Sequence, residues 1–193
     1  MYKRLTVADS VRVPPEHFGE NVEESVKEGL KEEAEGTITE EAGVILAVEN
    51  VLSVEGGDIE PEDAGVHYEV EYEALTFAPE MHEVIRGEVV DITDFGAFIR
   101  IGPFDGLCHV SQVMDEYVNM DEENNMLVSE EEQFSLEIDD KVITRIIAVS
   151  LGNEESNKIN LTMRQPGLGK DEWIEHYEEE KAEEEQEEEE GEE

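Results

Sequence analysis

The chain has 193 residues and a formal net charge of −41, because 54 Asp and Glu residues outnumber 13 Lys and Arg residues. This balance excludes a surface that attracts phosphate over long distances, which is the usual property of nucleic-acid-binding proteins. No apolar run approaches the roughly 20 residues that span a membrane, and the N-terminus lacks the apolar core of a signal peptide. We therefore expect a cytoplasmic protein without a membrane contact.

The negative charge is spread over the whole chain. Residues 178–193 contain twelve Glu and one Lys, so most of the charge lies outside this tail. Such a surface is typical of proteins in a cytosol of molar salt, where the Debye length is about 3 Å and self-repulsion is screened. We interpret the composition as that of an extreme halophile. The alternative is an acidic protein that mimics nucleic acid or binds basic partners.

Residues 1–80 predict an α+β domain. The expected elements are a strand over 2–13, a helix from Asn21 to near Gly36, a long strand over 43–54 and a strand over 66–74. Asn21 and Glu24 have the spacing of a capping box. Apolar residues recur every four positions and form the expected buried stripe of the helix: Val22, Val26 and Leu30. Strict alternation in the last strand indicates an antiparallel sheet with one buried face.

Residues 81–165 predict a second domain made of strands. The five expected strands cover 84–92, 95–101, 106–110, 141–149 and 158–163, with a short helical turn at 111–113. Five strands in this arrangement are typical of a closed OB-fold barrel. Residues 114–140 interrupt the barrel as a long acidic insertion, in which 126–128 suggest one further short strand.

The segment GEVVDITDFGAFIRIGPFDGLCHVSQ combines strand periodicity with turn glycines. Alternation places Ala97, Ile99 and Ile101 on one face of a strand, which we expect in the core. Phe98 and Arg100 lie on the opposite face, which is free to bind a ligand.

The end of the same segment should return to the core. We expect Leu107 and Val110 to be core residues beside His109. Cys108 is the single cysteine of the chain, so it has no partner for a disulfide and no companion for a zinc site. We interpret it as a small core residue.

An OB barrel binds single strands by stacking bases on flat apolar groups and by placing cations along the backbone. The candidate stacking residues are Phe95, Phe98 and His109, and the candidate cations are Arg100, Lys158 and Arg164. Alternation also predicts one shared face for four residues of the last strand: Lys158, Asn160, Thr162 and Arg164. The candidate cations form a local cationic strip in an acidic protein. We expect this strip to hold single-stranded RNA when salt screens the negative charge of the whole protein.

The glycine-containing segment resembles the S1 domain, a five-stranded OB-fold barrel that binds single-stranded RNA. The resemblance implies that the RNA surface includes Phe95, Phe98, His109 and Lys158. The chain departs from the pattern at Ser150, where many S1 domains carry an acidic residue at the end of the fourth strand.

Three further segments extend the resemblance over nearly the whole chain: MYKRLTVADSVRVPPEHFG, GTITEEAGVILAVENV and LTMRQPGLGKDEWI. Together with the S1 segment they resemble the family of RNA polymerase stalk subunits, which includes the archaeal E-prime subunit and the seventh subunit of eukaryotic polymerase II. This implies a ribonucleoprotein-like tip domain over 1–80 that docks on the polymerase core, through loops at 14–18 and 55–64. It also implies a heterodimer with the small helical F subunit, and contact with nascent RNA.

The C-terminal part of the chain predicts a short helix followed by disorder. Asp171 has the position of a cap for a helix within residues 166–177, which would cover its own barrel or meet the F subunit. The glutamate-rich residues 178–193 should be disordered.

The residues alone indicate no catalytic set, no metal site and no cofactor, because the carboxylates lie dispersed in a solvated surface. Any nucleotidyltransferase activity would thus belong to the DNA-directed RNA polymerase complex. Two other classes are alternatives. One is an S1-domain protein of translation or RNA decay. The other is a nuclease or phosphorolytic enzyme, which needs clustered carboxylates or a phosphate-binding loop.

Overall fold

A computed structural model describes residues 1–17, 21–39, 41–59, 63–121, 123–130, 134–152 and 157–191. Several predictions made above fall partly outside these residues: Phe18 and 60–62 in the two docking loops, 122 and 131–133 in the insertion, and 192–193 in the tail. The chain divides into two compact units, Met1–Pro79 with Leu151–Ser156, and Glu80–Ser150 with Asn157–Glu193. No helix in the described part of the chain is both long and apolar enough to span a membrane.

The first unit contains a four-stranded antiparallel sheet and one helix. In chain order its elements are β1 (Tyr2–Val13), α1 (Val22–Ala34), β2 (Ile38–Thr39), β3 (Gly43–Asp58) and β4 (Val66–Phe77), with a 3₁₀ turn at Pro15–His17. The strand order is β1-β4-β3-β2. All three strands predicted from the sequence are confirmed, and β3 and β4 extend beyond their predicted ends because the two strands continue to pair as a long hairpin.

Helix α1 packs its buried face on this sheet. Asn21 is the N-cap, and its side chain accepts a hydrogen bond from the Glu23 N–H at 3.4 Å. Val26 and Leu30 are buried as predicted. Val22 is 46% exposed, so its predicted place in the buried stripe is wrong. The small residue Ser25 is buried instead, and its hydroxyl donates to the carbonyls of His17 and Asn21.

The second unit contains a closed five-stranded barrel. Its strands are β5 (Val84–Thr93), β6 (Gly96–Ile101), β7 (Phe104–His109), β11 (Lys141–Ser150) and β12 (Lys158–Thr162), in the order β11-β12-β7-β6-β5. Three smaller strands, β8 (Val118–Asp121), β9 (Met126–Ser129) and β10 (Ser135–Leu136), separate β7 from β11 along the chain. The predicted α+β class with a five-stranded barrel is thus confirmed.

The barrel interior is filled by the alternate residues of its strands. Ala97, Ile99 and Ile101 are completely buried, as the sequence predicted, and so are Cys108 and Leu161. The acidic insertion is more ordered than its composition suggests, because β8, β9 and β10 pair as a separate antiparallel sheet. The short strand predicted at 126–128 corresponds to β9.

The last helix, α2 (Asp171–Gly191), differs from the prediction. Asp171, which we expected to cap the helix, is its first residue, and the helix continues far beyond residue 177, through the stretch that we expected to be disordered. Glutamate has a high helix propensity, and neither Gly nor Pro interrupts the stretch before Gly191. At its start, Trp173 is buried and its ring lies 5.8 Å from that of Phe134 in the insertion. The apolar side of this first turn is therefore covered by the same unit.

Candidate nucleic-acid interface

Gly96 allows the first two strands of the candidate interface to approach each other closely. It pairs with His109 across β6 and β7. A Cβ atom at this position would lie 2.2 Å from the Cys108 carbonyl oxygen and 2.9 Å from the Cα atom of His109. Next to this pair, the Val110 N–H donates to the Phe95 carbonyl at 2.9 Å. The missing side chain thus brings Phe95 and His109 to the same end of the strand pair.

The two phenylalanines of the DFGAF segment form one aromatic surface. Phe95 is 45% exposed and Phe98 is half-buried. Their ring centroids are 6.0 Å apart and the ring planes are nearly perpendicular, at 88°. This edge-to-face arrangement holds the rings in place by their complementary charge distribution. It leaves an apolar surface of the kind on which a base can stack.

His109 is exposed and has a defined hydrogen-bond pattern. Its Nδ1 atom accepts from the backbone N–H of Ser111 at 3.2 Å and lies 3.0 Å from the Ser111 hydroxyl. His109 thereby caps the 3₁₀ turn Val110–Gln112. Because the backbone N–H can only donate, the neutral ring carries its proton on Nε2. The ring can therefore offer a donor to a ligand in addition to its flat face.

A row of outward residues crosses four neighbouring strands. Phe98 pairs with Leu107, Leu107 with Asn160, and Asn160 with Ala148. Leu107 is half-buried and Asn160 is exposed. Leu107 adds an apolar group beside Phe98, and the Asn160 amide can both donate and accept hydrogen bonds. These two residues extend the candidate surface beyond the set predicted from the sequence.

The prediction that Leu107 lies in the core is wrong, and Val110 is also only half-buried. The inward residues of β7 are Phe104, Gly106 and Cys108. Gly106 conceals this alternation in the sequence, because it has no apolar side chain. A Cβ atom there would lie 2.7 Å from Leu161 Cδ1, so the leucine of the neighbouring strand fills the space.

Two of the three candidate cations have acidic partners. Arg100 Nε donates a hydrogen bond to Asp105 Oδ1 at 3.0 Å. This hydrogen bond is the main cause that raises the pKa of Arg100, and the negative charge of Asp105 is the second. Arg164 Nε lies 2.7 Å from Asp115 Oδ1. Both carboxylates would compete with an RNA phosphate for these side chains. Lys158 is exposed and has no ion pair within the described residues, so it is the cation most available to a phosphate.

The sequence predicted four residues on one outward face of the last strand, and only some of them are exposed. Lys158 and Asn160 point outward, but Thr162 is buried and its hydroxyl donates to the Gln112 carbonyl at 3.3 Å. The prediction for Thr162 is therefore wrong, because the chain after His109 covers this end of the strand. Arg164 follows the end of β12. Ser150, the departure from the S1 pattern, pairs with Lys158.

The arrangement provides stacking and hydrogen bonding and little positive charge. Asp91 pairs with Phe98 across β5 and β6, which adds a carboxylate next to the aromatic surface. Long-range attraction of a phosphate chain is thus weak. Within the described residues, no group of three or more His, Cys, Asp or Glu residues could hold a metal ion. The aromatic surface with its hydrogen-bonding neighbours is suited to contact with bases.

Comparison with known families gives a match for each unit. Residues 8–64 match the family described as "SHS2 domain found in N terminus of Rpb7p/Rpc25p/MJ0397". Residues 78–164 match the family described as "S1 RNA binding domain". The second match contains every candidate interface residue from Phe95 to Arg164.

Similar proteins match over most of the chain. Subunit Rpo7 of the DNA-directed RNA polymerase of Sulfolobus acidocaldarius is 37% identical over 174 residues, which cover 90% of this chain and 95% of that protein. The Rpo7 subunit of Saccharolobus shibatae is 36% identical, over 90% of this chain and 97% of that protein. Subunit RPB7 of RNA polymerase II of Saccharomyces cerevisiae is 32% identical over 49% of this chain and 56% of that protein.

Proposed function

Because this chain belongs to the family of DNA-directed RNA polymerase subunits that includes Rpo7 and RPB7, we propose that its barrel binds emerging single-stranded RNA as part of the polymerase stalk. The observation that supports this proposal most directly is the aromatic surface of Phe95 and Phe98, with His109 at the same end of the strand pair. An S1 family match over the same residues supports this assignment. In this role the chain assists initiation and elongation, and nucleotide transfer is the work of the polymerase complex.

Stacking supplies most of the binding free energy in this proposal. Bases lie on Phe98 and Phe95, the His109 Nε2–H donates to a base or a backbone oxygen, and Lys158 contacts a phosphate. The neighbouring Asp91 and the acidic body of the protein oppose the backbone charge at low salt. Stacking depends little on salt, so binding persists where long-range electrostatics are screened.

Titration of single-stranded RNA with the purified two-subunit stalk at high salt tests the proposal. Phe98→Ala should weaken binding by about 1–3 kcal/mol, the value of one base stacked on an aromatic ring. Lys158→Ala should weaken it less in molar salt than in dilute buffer, because salt already screens a phosphate contact. Tyr117→Ala is the matched control, since Tyr117 is 70% exposed on the same unit and lies outside the candidate surface.

Thermal unfolding of each variant separates binding from folding. The Phe98→Ala protein must remain folded for its RNA affinity to be informative, because truncation of a core phenylalanine costs several kcal/mol. Unchanged affinity of a folded Phe98→Ala variant, or the same loss in Tyr117→Ala, would contradict the proposed surface.

The family also suggests partners for the first unit. We propose that it docks on the polymerase core and that the whole chain pairs with the small helical F subunit. Several large apolar residues of this unit are exposed, among them Tyr2 (56%), Leu52 (53%) and Ile59 (70%). Exposed apolar groups on long strands favour association. Expression of the chain alone should yield a poorly behaved protein that co-expression with the F subunit rescues. A stable monomer that is indifferent to this partner would argue against the pairing.

We further propose that the acidic body is an adaptation to a salt-rich cytoplasm. A net charge of −41 causes self-repulsion that grows as the Debye length approaches about 10 Å near 0.1 M salt. The melting temperature should therefore rise between about 0.1 M and 3 M potassium chloride. An equal melting temperature at both concentrations would remove the halophile interpretation.

The alternative class is an S1 protein of translation or RNA decay. Such a protein would share the barrel, but this class does not account for the presence of the first unit. The N-terminal match at residues 8–64 favours the polymerase subunit. Purification from native cells separates the two classes, since the polymerase subunit should co-elute with core polymerase subunits and the alternative with ribosomes or nucleases.

A further inference from the structure

Helix α1 covers only part of the sheet in the first unit. The helix has 13 residues and β3 has 16, which correspond to lengths of about 20 Å and 50 Å. α1 lies over the C-terminal half of β1, where a Cβ atom at Gly29 would be 3.1 Å from Val11 Cγ2. The N-terminal half of β1 on this side of the sheet is left without a helix.

A groove of about 700 Å³ occupies the uncovered region. Leu5 and Val7 of β1, both half-buried, line it together with the buried Tyr72 and Ile45. Its lining on the helix side includes Leu30 and Ala34. The floor of the groove is thus apolar, and the groove runs beside a helix on a sheet, where a second helix would complete the layer.

One carboxylate interrupts the apolar row of β1. Leu5, Val7, Asp9 and Val11 pair with Ala74, Tyr72, Val70 and Tyr68 of β4, so alternation places Asp9 on the same side as its apolar neighbours. Asp9 is exposed, lines the groove and has no ion pair within the described residues. The buried Tyr72 hydroxyl has no hydrogen-bond partner there either. Glu33 and Glu41 add further negative charge to the groove lining, and the described lining residues include neither Lys nor Arg.

We propose that this groove binds an amphipathic α-helix of another protein, with apolar side chains against Leu5 and Val7 and a Lys or Arg beside Asp9. The negative charge of the groove lining favours a basic helix over the other candidates for this groove. A second copy of this chain carries −41, and the chain's own helix α2 is rich in glutamate, so both would repel the lining carboxylates. The Asp9 Oδ1 atom accepts only the local hydrogen bond from the Ser10 N–H, at 2.8 Å, among the contacts of the described residues. A basic amphipathic helix would cover the apolar floor and also give this carboxylate an ion pair. This inference does not depend on RNA binding by the barrel.

Thiol labelling of the Val7→Cys protein within the purified two-subunit stalk gives a direct test, and it separates occupancy of the groove from the proposed pairing with the F subunit. The native Cys108 is buried, so the new thiol is the reactive one. The probe is a synthetic peptide of about 18 residues with a leucine stripe at helical spacing and lysines elsewhere, and its control is the same composition shuffled to destroy the stripe. Work at about 1 M salt reduces the Debye length to about 3 Å and suppresses non-specific charge attraction.

The striped peptide should slow labelling about tenfold at saturation, whereas the shuffled peptide should change it less than about twofold. Asp9→Asn, in the Val7→Cys background, should weaken protection at least about fivefold. Glu71→Gln is its matched control, because Glu71 pairs with Ala8 and lies on the opposite side of the same sheet. Equal protection by both peptides, no protection by either, or equal effects of Asp9→Asn and Glu71→Gln would overturn the proposal.

Discussion

Gly96 and His109 face each other across β6 and β7, at a distance that leaves no room for a side chain on Gly96. The close approach sets the position of His109 relative to Phe95. The backbone N–H of Val110, the residue after His109, donates to the Phe95 carbonyl. The glycine of the DFGAF segment is therefore part of the geometry of the candidate RNA surface, although it presents no functional group.

Replacement of this glycine should lower the stability of the folded protein. Gly96→Ala should cost about 3 kcal/mol, the upper range for forcing extra atoms into a packed site, because the new Cβ meets backbone atoms that cannot move aside. Gly167→Ala is the control. Gly167 has a φ of +81° but nothing within 4 Å of a Cβ position, so only the backbone penalty of about 1 kcal/mol applies. Chemical denaturation measures the loss of unfolding free energy in each variant. Equal losses for Gly96→Ala and Gly167→Ala would contradict the steric argument.

Asp63 ties the segment before β4 to β1. Its carboxylate receives hydrogen bonds from Arg12 Nε at 2.7 Å, Arg12 Nη2 at 2.6 Å and the Gly65 N–H at 2.9 Å, and lies 3.1 Å from His67 Nε2. The hydrogen bonds from Arg12, and then the one from Gly65, hold the pKa of Asp63 well below its usual range.

This lowered pKa predicts a pH-dependent contribution to stability. Because the folded state prefers the ionised carboxylate, the contribution is complete above the ordinary pKa of about 3.9 and is lost as the pH falls below it. Asp63→Asn should therefore lower the urea midpoint at neutral pH, and the difference from wild type should shrink below about pH 4. Asp58→Asn in the same hairpin is the control, since Asp58 is exposed and has no ion pair among the described residues. A difference that stays constant with pH would contradict this role for Asp63.

Cys108 should be chemically inert in the folded protein. It is completely buried in the barrel, and burial raises the pKa of its thiol to about 12. The thiolate is the reactive form. Iodoacetamide near pH 8 should leave the native protein unmodified and alkylate it in denaturant, as mass spectrometry would show. Rapid alkylation of the native protein would mean that the barrel opens at this strand.

Phe134 connects the insertion to the last helix. Its ring centroid lies 5.8 Å from those of Trp173 and Tyr177 and 5.2 Å from that of His176. Phe134→Ala should cost about 3–5 kcal/mol, the usual range for a buried phenylalanine. The single tryptophan of the chain is Trp173, so its fluorescence should shift to the red as the helix loosens. Tyr117→Ala, at an exposed site of the insertion, should leave the spectrum unchanged, and an unshifted Phe134→Ala spectrum would show that the helix is held elsewhere.

The positions of the strands were largely readable from the residues alone. Alternation between apolar and polar side chains is a local property, so it predicted β1, β4 and the five barrel strands without any knowledge of their partners. It also placed Ala97, Ile99 and Ile101 in the core and Phe98 on the outside. The same rule failed in β7 because the inward residue Gly106 has no side chain to mark its face.

The state of the charged and polar side chains was decided by tertiary structure. Arg100 and Arg164 look alike in a sequence, as free cations, but strand pairing and the turn after β7 bring Asp105 and Asp115 to them. Leu107 became a neighbour of Phe98, and Asn160 a neighbour of Leu107, only through the barrel register. Periodicity thus determined which residues are buried or exposed, because each strand sets its own pattern. Which residues share a surface depends on long-range pairing, because that pairing joins residues from distant parts of the chain.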